Sequence, residues 1–401
     1  MTTETTNQIS FKKLAPLGGA VALLGGIAWA AGFGSNSVLA IQGYLFAWVF
    51  WALIVLGCLG LTCLHHTLRA SWGLSILRLA EAGSSPLTLG VTAVAFAPVL
   101  LNLDKLFWWA KPGIHSEHHP AYMGFRLLYL NPGFFIGRFV LYFAIWAIMS
   151  HIMRSSSRKQ DETLDPELGV KRHTTGPVCL VIFFVTMTFA ITDWVMSLER
   201  LWFSTILPLL SCVGGALSAL SLFCWLILQK KHREQEPYAT AITPQLTKDL
   251  GNMLFCLTML WQYMTLSQYL ITYSGHLPEE VPYYLSRNER GWEWQITANI
   301  LLQFFVPFTA LLAPRTKRYA KNMMWVVVII FLMRISDVYW TIIPSMRGKE
   351  MTFGQSFLTW TDWAPFVGLG GLWFALFASQ VHQAAILPKH DTRLLEVEHA
   401  H

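Results

Sequence analysis

Apolar runs of about twenty residues recur along the whole chain, each long enough to cross the roughly 30 Å hydrocarbon of a bilayer as a helix. In that solvent every backbone N–H and C=O has to be satisfied inside its own segment. The fold expected is therefore an all-α polytopic membrane protein. Ten spans are placed near residues 14–33, 39–63, 86–104, 132–153, 174–197, 203–229, 249–274, 292–313, 322–343 and 360–386. They form one transmembrane domain over 14–386, with short tails at 1–13 and 387–401. Residues 65–83 read as an amphipathic helix lying on the surface, and 105–131 is the longest loop. Lys12-Lys13 followed by an apolar run and Ala28-Trp29-Ala30 has the look of a signal peptide, and we take it as the first span.

Composition agrees, because only 13% of the 401 residues are charged, about half the share of a soluble domain. The formal charge of +6 does not point to nucleic acid, since the basic residues lie in short loops without a basic stripe. Nineteen Lys and Arg fall in the N-tail, the even-numbered loops and the C-tail. The odd-numbered loops hold nine when Arg138, near the start of the fourth span, is counted with the third loop. Both termini are then expected on the cytoplasmic side. Arg334 alone is left over, inside a span.

The six cysteines all fall in apolar runs and form no C-x-x-C or C-x-x-C-H, so the spacings for iron–sulfur clusters and c-type haem are missing. They read as packing residues. A haem held within the bundle would need histidines at depth, whereas His65, His66, His151, His173 and His382 sit at span ends. His115, Glu117, His118 and His119 in the long loop match no strong metal pattern and suit docking or solvent.

Polar residues in and beside the spans are unevenly placed. Asp104, Asp193, Glu199, Glu293 and Asp362 all lie at outer helix ends, and Asp337 is in the outer half of the ninth span. At the inner ends only Asp249 is comparable, where it opens a helix. Arg334 and Asp337, at i and i+3, share a helix face and can pair. Such an embedded pair either locks its helix against neighbours or exchanges protons. In the seventh span Gln262, Thr265, Tyr269 and Thr272 recur at helical spacing as one polar face, suited to interhelical hydrogen bonds or to a water-lined route. Asn299 and Gln303 add a shorter face in the eighth span. Thr192-Asp193-Trp194 is echoed by Thr361-Asp362-Trp363, the one internal repeat found.

The stretch ITDWVMSLERLWFST at 191–205 closely resembles a signature of a large membrane subunit of alternative complex III, the quinol-oxidising respiratory complex. DLGNMLFCLTMLWQYMTLSQYLI, LPEEVPYYLSRNERGWEW and MRISDVYWTIIPS continue the likeness, which covers most of 86–386. The resemblance is to the F-type subunit, within the polysulfide-reductase-type (NrfD-like) membrane proteins. It implies two four-helix bundles side by side plus two peripheral helices, in a bacterial cytoplasmic membrane, with no cofactor in this chain. Haem c and iron–sulfur clusters would belong to partners: a molybdopterin-oxidoreductase-like iron–sulfur subunit, and multihaem and monohaem cytochrome c subunits. A second NrfD-like subunit and small membrane subunits complete the implied assembly. Quinol would be the substrate of the complex, delivered to a cytochrome c or blue copper acceptor, and this chain would not be catalytic alone.

Carried onto this sequence, the family pattern implies proton transfer at Asp193, Glu199, Arg334 and Asp337. Where the family has a Pro-His pair between acid and aromatic, this chain reads Arg200-Leu201, so no histidine carrier is implied there. Two other readings are a secondary transporter, for which Pro98, Pro208 and Pro307 interrupt spans without pairing by position, and a purely structural anchor of a complex.

Overall fold

The computed structural model describes residues 2–68, 71–114, 121–163, 165–347, 350–382 and 385–388. His115, Glu117, His118, His119 and most of the C-tail lie outside them. Every regular element among the described residues is helical. We label the principal helices α1 (Thr2–Ser35), α2 (Ser37–Leu68), α3 (Leu74–Gly83), α4 (Pro86–Val94), α5 (Pro132–Thr163) and α6 (Pro166–Trp194). There follow α7 (Ile206–His232), α8 (Pro244–Gly275), α9 (Trp292–Leu312), α10 (Ala320–Arg347) and α11 (Trp360–Val381).

Nine helices among the described residues are long and apolar enough to cross a membrane. The third of them, Leu74–Leu100, takes in α3 together with most of the span expected at 86–104, and the expected seventh span is not one of the nine. It is present as α8, a 32-residue helix, but Asn252, Thr258, Gln262, Thr265, Ser267, Gln268 and Thr272 dilute its apolar character. It is nevertheless packed against α7, α9 and α10.

Helix α4 packs on α5 and α5 on α6, while α7, α8, α9 and α10 pack together, and α2 joins the two sets by packing on both α6 and α7. Helix α1 lies along α11 at the periphery, and α11 lies on α2. Helix α2 is the centre of the molecule, buried along its length. Lipid is as apolar as leucine, so nothing squeezes such helices together except close packing and hydrogen bonds. Gly57 of α2 allows that closeness: a Cβ there would run into the Gly215 carbonyl of α7.

Helix α3 corrects an expectation. It forms, but all ten of its residues are buried rather than lying on the surface. Its polar side does not reach for water because Arg78 binds Glu81 and reaches Ser157 and Asp161 of α5, while α3 also packs on α2, α7 and α11.

One end of the assembly carries Asp193, Glu199, Glu293 and Asp362, and we call it the acidic end. The other, with Arg154, Arg158, Lys171, Lys230 and Lys231, is the basic end.

Candidate functional site

At the acidic end the two Thr-Asp-Trp segments build the same device twice. Asp193, at the C-terminus of α6, is 1% exposed and faces Arg138 of α5. Arg138 grips it with two prongs, Nε to Oδ2 at 2.9 Å and Nη2 to Oδ1 at 2.8 Å. Its third nitrogen, Nη1, donates to the Tyr129 carbonyl at 2.9 Å, and the Tyr142 hydroxyl donates to Oδ2 at 3.1 Å. Asp362, in the first turn of α11, is fully buried and gripped by Arg347 of α10, with both bonds 2.9 Å. Arg347 spends its remaining donors on Gln42 Oε1 (2.7 Å) and the Leu39 carbonyl (2.9 Å), and the Tyr339 hydroxyl donates to Oδ2 at 3.1 Å. Each device is a forked arginine, an aspartate and a tyrosine, with all three guanidinium nitrogens engaged. Buried ions are tolerated when paired and hydrogen-bonded to this degree, and such pairs bind helices in fixed register. They are latches, tying α5 to α6 and α10 to α2 and α11.

Glu199 is held more loosely. It lies just beyond α6, partly open, and meets the Arg287 guanidinium at 3.3 Å. Arg287 is itself buried and serves other partners: the carbonyls of Tyr283 (2.9 Å) and Thr341 (3.0 Å) and the Ser345 hydroxyl (2.6 Å). Its guanidinium lies 3.6 Å from the Tyr283 ring centroid, and that ring stacks on Trp202 at 3.8 Å.

Arg334 and Asp337 do pair along one face of α10, and their geometry differs from the latches. The contact is one-pronged, Nη1 to Oδ2 at 2.5 Å. Nη1 also reaches Gln303 Oε1 at 3.0 Å, with the Gln303 amide donating to the Met333 carbonyl at 3.1 Å, the orientation these partners require. No hydrogen bond to Nε or Nη2 occurs among the described residues, in contrast to Arg138 and Arg347. The guanidinium lies over the Trp261 ring of α8, 5.8 Å from its centroid, and against Gly214 of α7, where a Cβ would collide with it.

Beside the pair, α2, α7 and α10 leave a cavity of about 20 Å³ lined by Leu53, Leu207, Ser211, Arg334, Asp337 and Thr341. That is room for one water. On the far side of Arg334, α9 opens into a π-helical stretch, Ile300–Phe305, just ahead of Pro307. Proline lacks the N–H that would continue the ladder, and single π turns inside helices occur frequently at functional sites. Gln303 and Asn299 are both fully buried there, and neither amide atom of Asn299 finds a partner among the described residues. Polar groups so placed are expensive unless they engage water or move. The cluster of Arg334, Asp337 and Gln303, with Asn299 four residues before Gln303 on α9, is thus a buried polar site with bonding capacity to spare.

The other sequence candidates are not gathered here. Asp104 is exposed in the first turn of a short helix, Leu103–Leu106. Glu293 caps the start of α9, its Oε2 accepting from the Gly291 N–H at 2.9 Å. On α8, Gln262 is half-buried, Thr265 spends its hydroxyl on the Trp261 carbonyl (2.9 Å), and Tyr269 is exposed beside Tyr273 and Tyr284.

Sequence reading missed Arg138, Arg287 and Arg347, all grouped with loops when they are buried partners of the acids. The signal available for Arg138 was its place six residues inside an apolar run. For Arg347 it was the echo of Thr-Asp-Trp, since a buried aspartate of one repeat demands the cation that the other has. A scan against protein-family models finds no match to this chain, and a search of curated proteins finds none either.

Proposed function

We propose that this chain is a cofactor-free integral membrane subunit of a quinol-oxidising complex of the alternative complex III type, in which Asp337 exchanges protons against Arg334. The observation that carries the reading is the contrast among three buried Arg–Asp pairs. Two are bidentate and saturated, whereas Arg334–Asp337 is one-pronged, borders a water-sized cavity and leaves guanidinium donors unused. A carboxylate that gives up one contact on protonation loses less than one that gives up three. Gln303 and the Trp261 face hold the arginine while Asp337 is neutral, so its charge is not stranded. Water in the cavity would be the donor or acceptor of the proton. Haem c and iron–sulfur clusters in partner subunits would carry the electrons, and conformational coupling through α7 and α10 would link the two. Asp193 belongs with the latches in this reading, and Glu199, partly open beside Arg287, is the group nearest solvent on a path toward the acidic end.

A second reading, a purely structural anchor, is favoured by the two latches themselves, which bind helices and need no proton. Affinity purification of the chain from its native membranes separates these from a transporter. Co-purifying haem c with quinol-dependent reduction of a periplasmic acceptor is the result expected. Recovery of the chain alone, without haem, would remove the electron-transfer assignment.

A further inference from the structure

The basic end of the molecule carries a second charged cluster that this function does not use. Arg78 of buried α3 is spent on Glu81 (2.8 Å), the Ser157 hydroxyl (2.9 Å) and Asp161. One turn away on α5 stand Arg154 and Arg158, both half-buried. Arg154 Nη2 donates to Gln380 of α11 at 2.6 Å, its one hydrogen bond, and Arg158 makes none among the described residues. Three guanidinium groups therefore face two carboxylates, Glu81 and Asp161, and Glu81 keeps one oxygen without a hydrogen bond. Among the described residues these three cations outnumber the carboxylates that bind them, and like charges at i and i+4 repel unless something lies between them.

Depth identifies what lies there. From Pro132 at the acidic end to Arg154 is about 33 Å of helix, just past the roughly 30 Å of hydrocarbon, and Arg158 is about 6 Å further. Along α11, Trp360 to Gln380 is about 30 Å, the same level. The two arginines are at headgroup depth. Beneath them the outward faces of α4 and α11 are apolar, with Val94 and Val367 exposed and only a shallow dent of about 20 Å³ between the helices at Val91, Leu372 and Leu376. Charge at headgroup level above an apolar, outward-facing helix surface is the complement of a phospholipid.

We infer that Arg154 and Arg158, with Gln380, bind the phosphodiester of an anionic phospholipid in the leaflet at the basic end, its acyl chains lying along the outward apolar faces of α4 and α11. That excess of cation suits a headgroup of one negative charge, such as phosphatidylglycerol. The lipid would brace α5 against α11 where α3 fills the space between them. This inference rests on neither the proton role nor the complex.

The full chain is purified in mild detergent and titrated with phosphatidylglycerol, with phosphatidylcholine or with inorganic phosphate, and bound lipid is counted by native mass spectrometry. Phosphatidylglycerol is expected to bind the wild type roughly 30-fold more tightly than the Arg154→Gln/Arg158→Gln variant, from two arginines at the membrane surface. Phosphatidylcholine should bind the two proteins alike, and phosphate should not compete. Should the double variant fold poorly, Arg158→Gln alone, which breaks no hydrogen bond among the described residues, is expected to lower phosphatidylglycerol retention by itself. Equal retention by wild type and both variants would overturn the inference. Full displacement by inorganic phosphate would make this a free-anion site and overturn the lipid assignment.

Discussion

Replacing Asp362 and Asp337 by asparagine, one at a time, makes the difference between latch and exchange pair measurable. Asp362→Asn strips the charge from a carboxylate that accepts two arginine bonds and one tyrosine bond, leaving Arg347 buried without a counter-ion. Breaking a buried pair in this way costs about 3–5 kcal/mol. Asp337→Asn removes one charge-assisted hydrogen bond, about 1.5–3 kcal/mol. Arg334 keeps Gln303 and the Trp261 ring, and the adjoining cavity admits a water. Asp362→Asn is therefore expected to be the more destabilising by about 2 kcal/mol. Equilibrium unfolding of the full chain in mixed detergent micelles, followed by tryptophan fluorescence, reads both values. Equal losses, or a larger loss at Asp337, would refute the argument that this pair is the loosely held one, and with it the basis for choosing Asp337 as the proton group.

Three further outcomes follow from particular contacts. Gly214→Val places a side chain against the Arg334 guanidinium and should destabilise by about 1–3 kcal/mol, with the loss reduced in an Arg334→Gln background, as a double-mutant cycle would show. Gln303→Leu removes an acceptor from the same cation and should cost about 1.5–3 kcal/mol in the same unfolding assay, with Asp337→Asn worsening it more than additively. Burial pushes the Tyr283 hydroxyl from its ordinary 10.0 up to about 12. Its folded pKa being the higher, the neutral form stabilises the fold fully below pH 10 and that contribution is lost as pH rises toward 12. Tyr283→Phe keeps the stack on Trp202, and its unfolding free energy should fall less steeply over that window.

Much of the architecture was legible because the bilayer imposes it: the helical class and the approximate position of most spans follow from where apolar runs start and stop. Helix α8 shows the limit of that signal. Its polar residues lower its hydropathy below that of its neighbours, yet burial against α7 and α10 keeps it in the bundle. Helix α3 shows another, since Arg78 and Glu81 mark a surface helix in sequence and only the carboxylate of Asp161, more than eighty residues away, lets them be buried. The site was half legible. Arg334 and Asp337 announce each other because they are three residues apart. Arg138 with Asp193, and Arg347 with Asp362, are joined through the fold, and no local pattern couples them. Gln303 was visible as a buried amide, but its aim at Arg334 depends on the π turn before Pro307.

The central claim is that Asp337 moves protons, and the ratio of protons released per electron transferred tests it most directly. The measurement is made on the complex containing this chain, reconstituted into vesicles, with Asp362→Asn as the control for lost stability. With Asp337→Asn the ratio is expected to fall while Asp362→Asn leaves it at the wild-type value in whatever complex survives. A wild-type ratio in the Asp337→Asn complex would contradict the account.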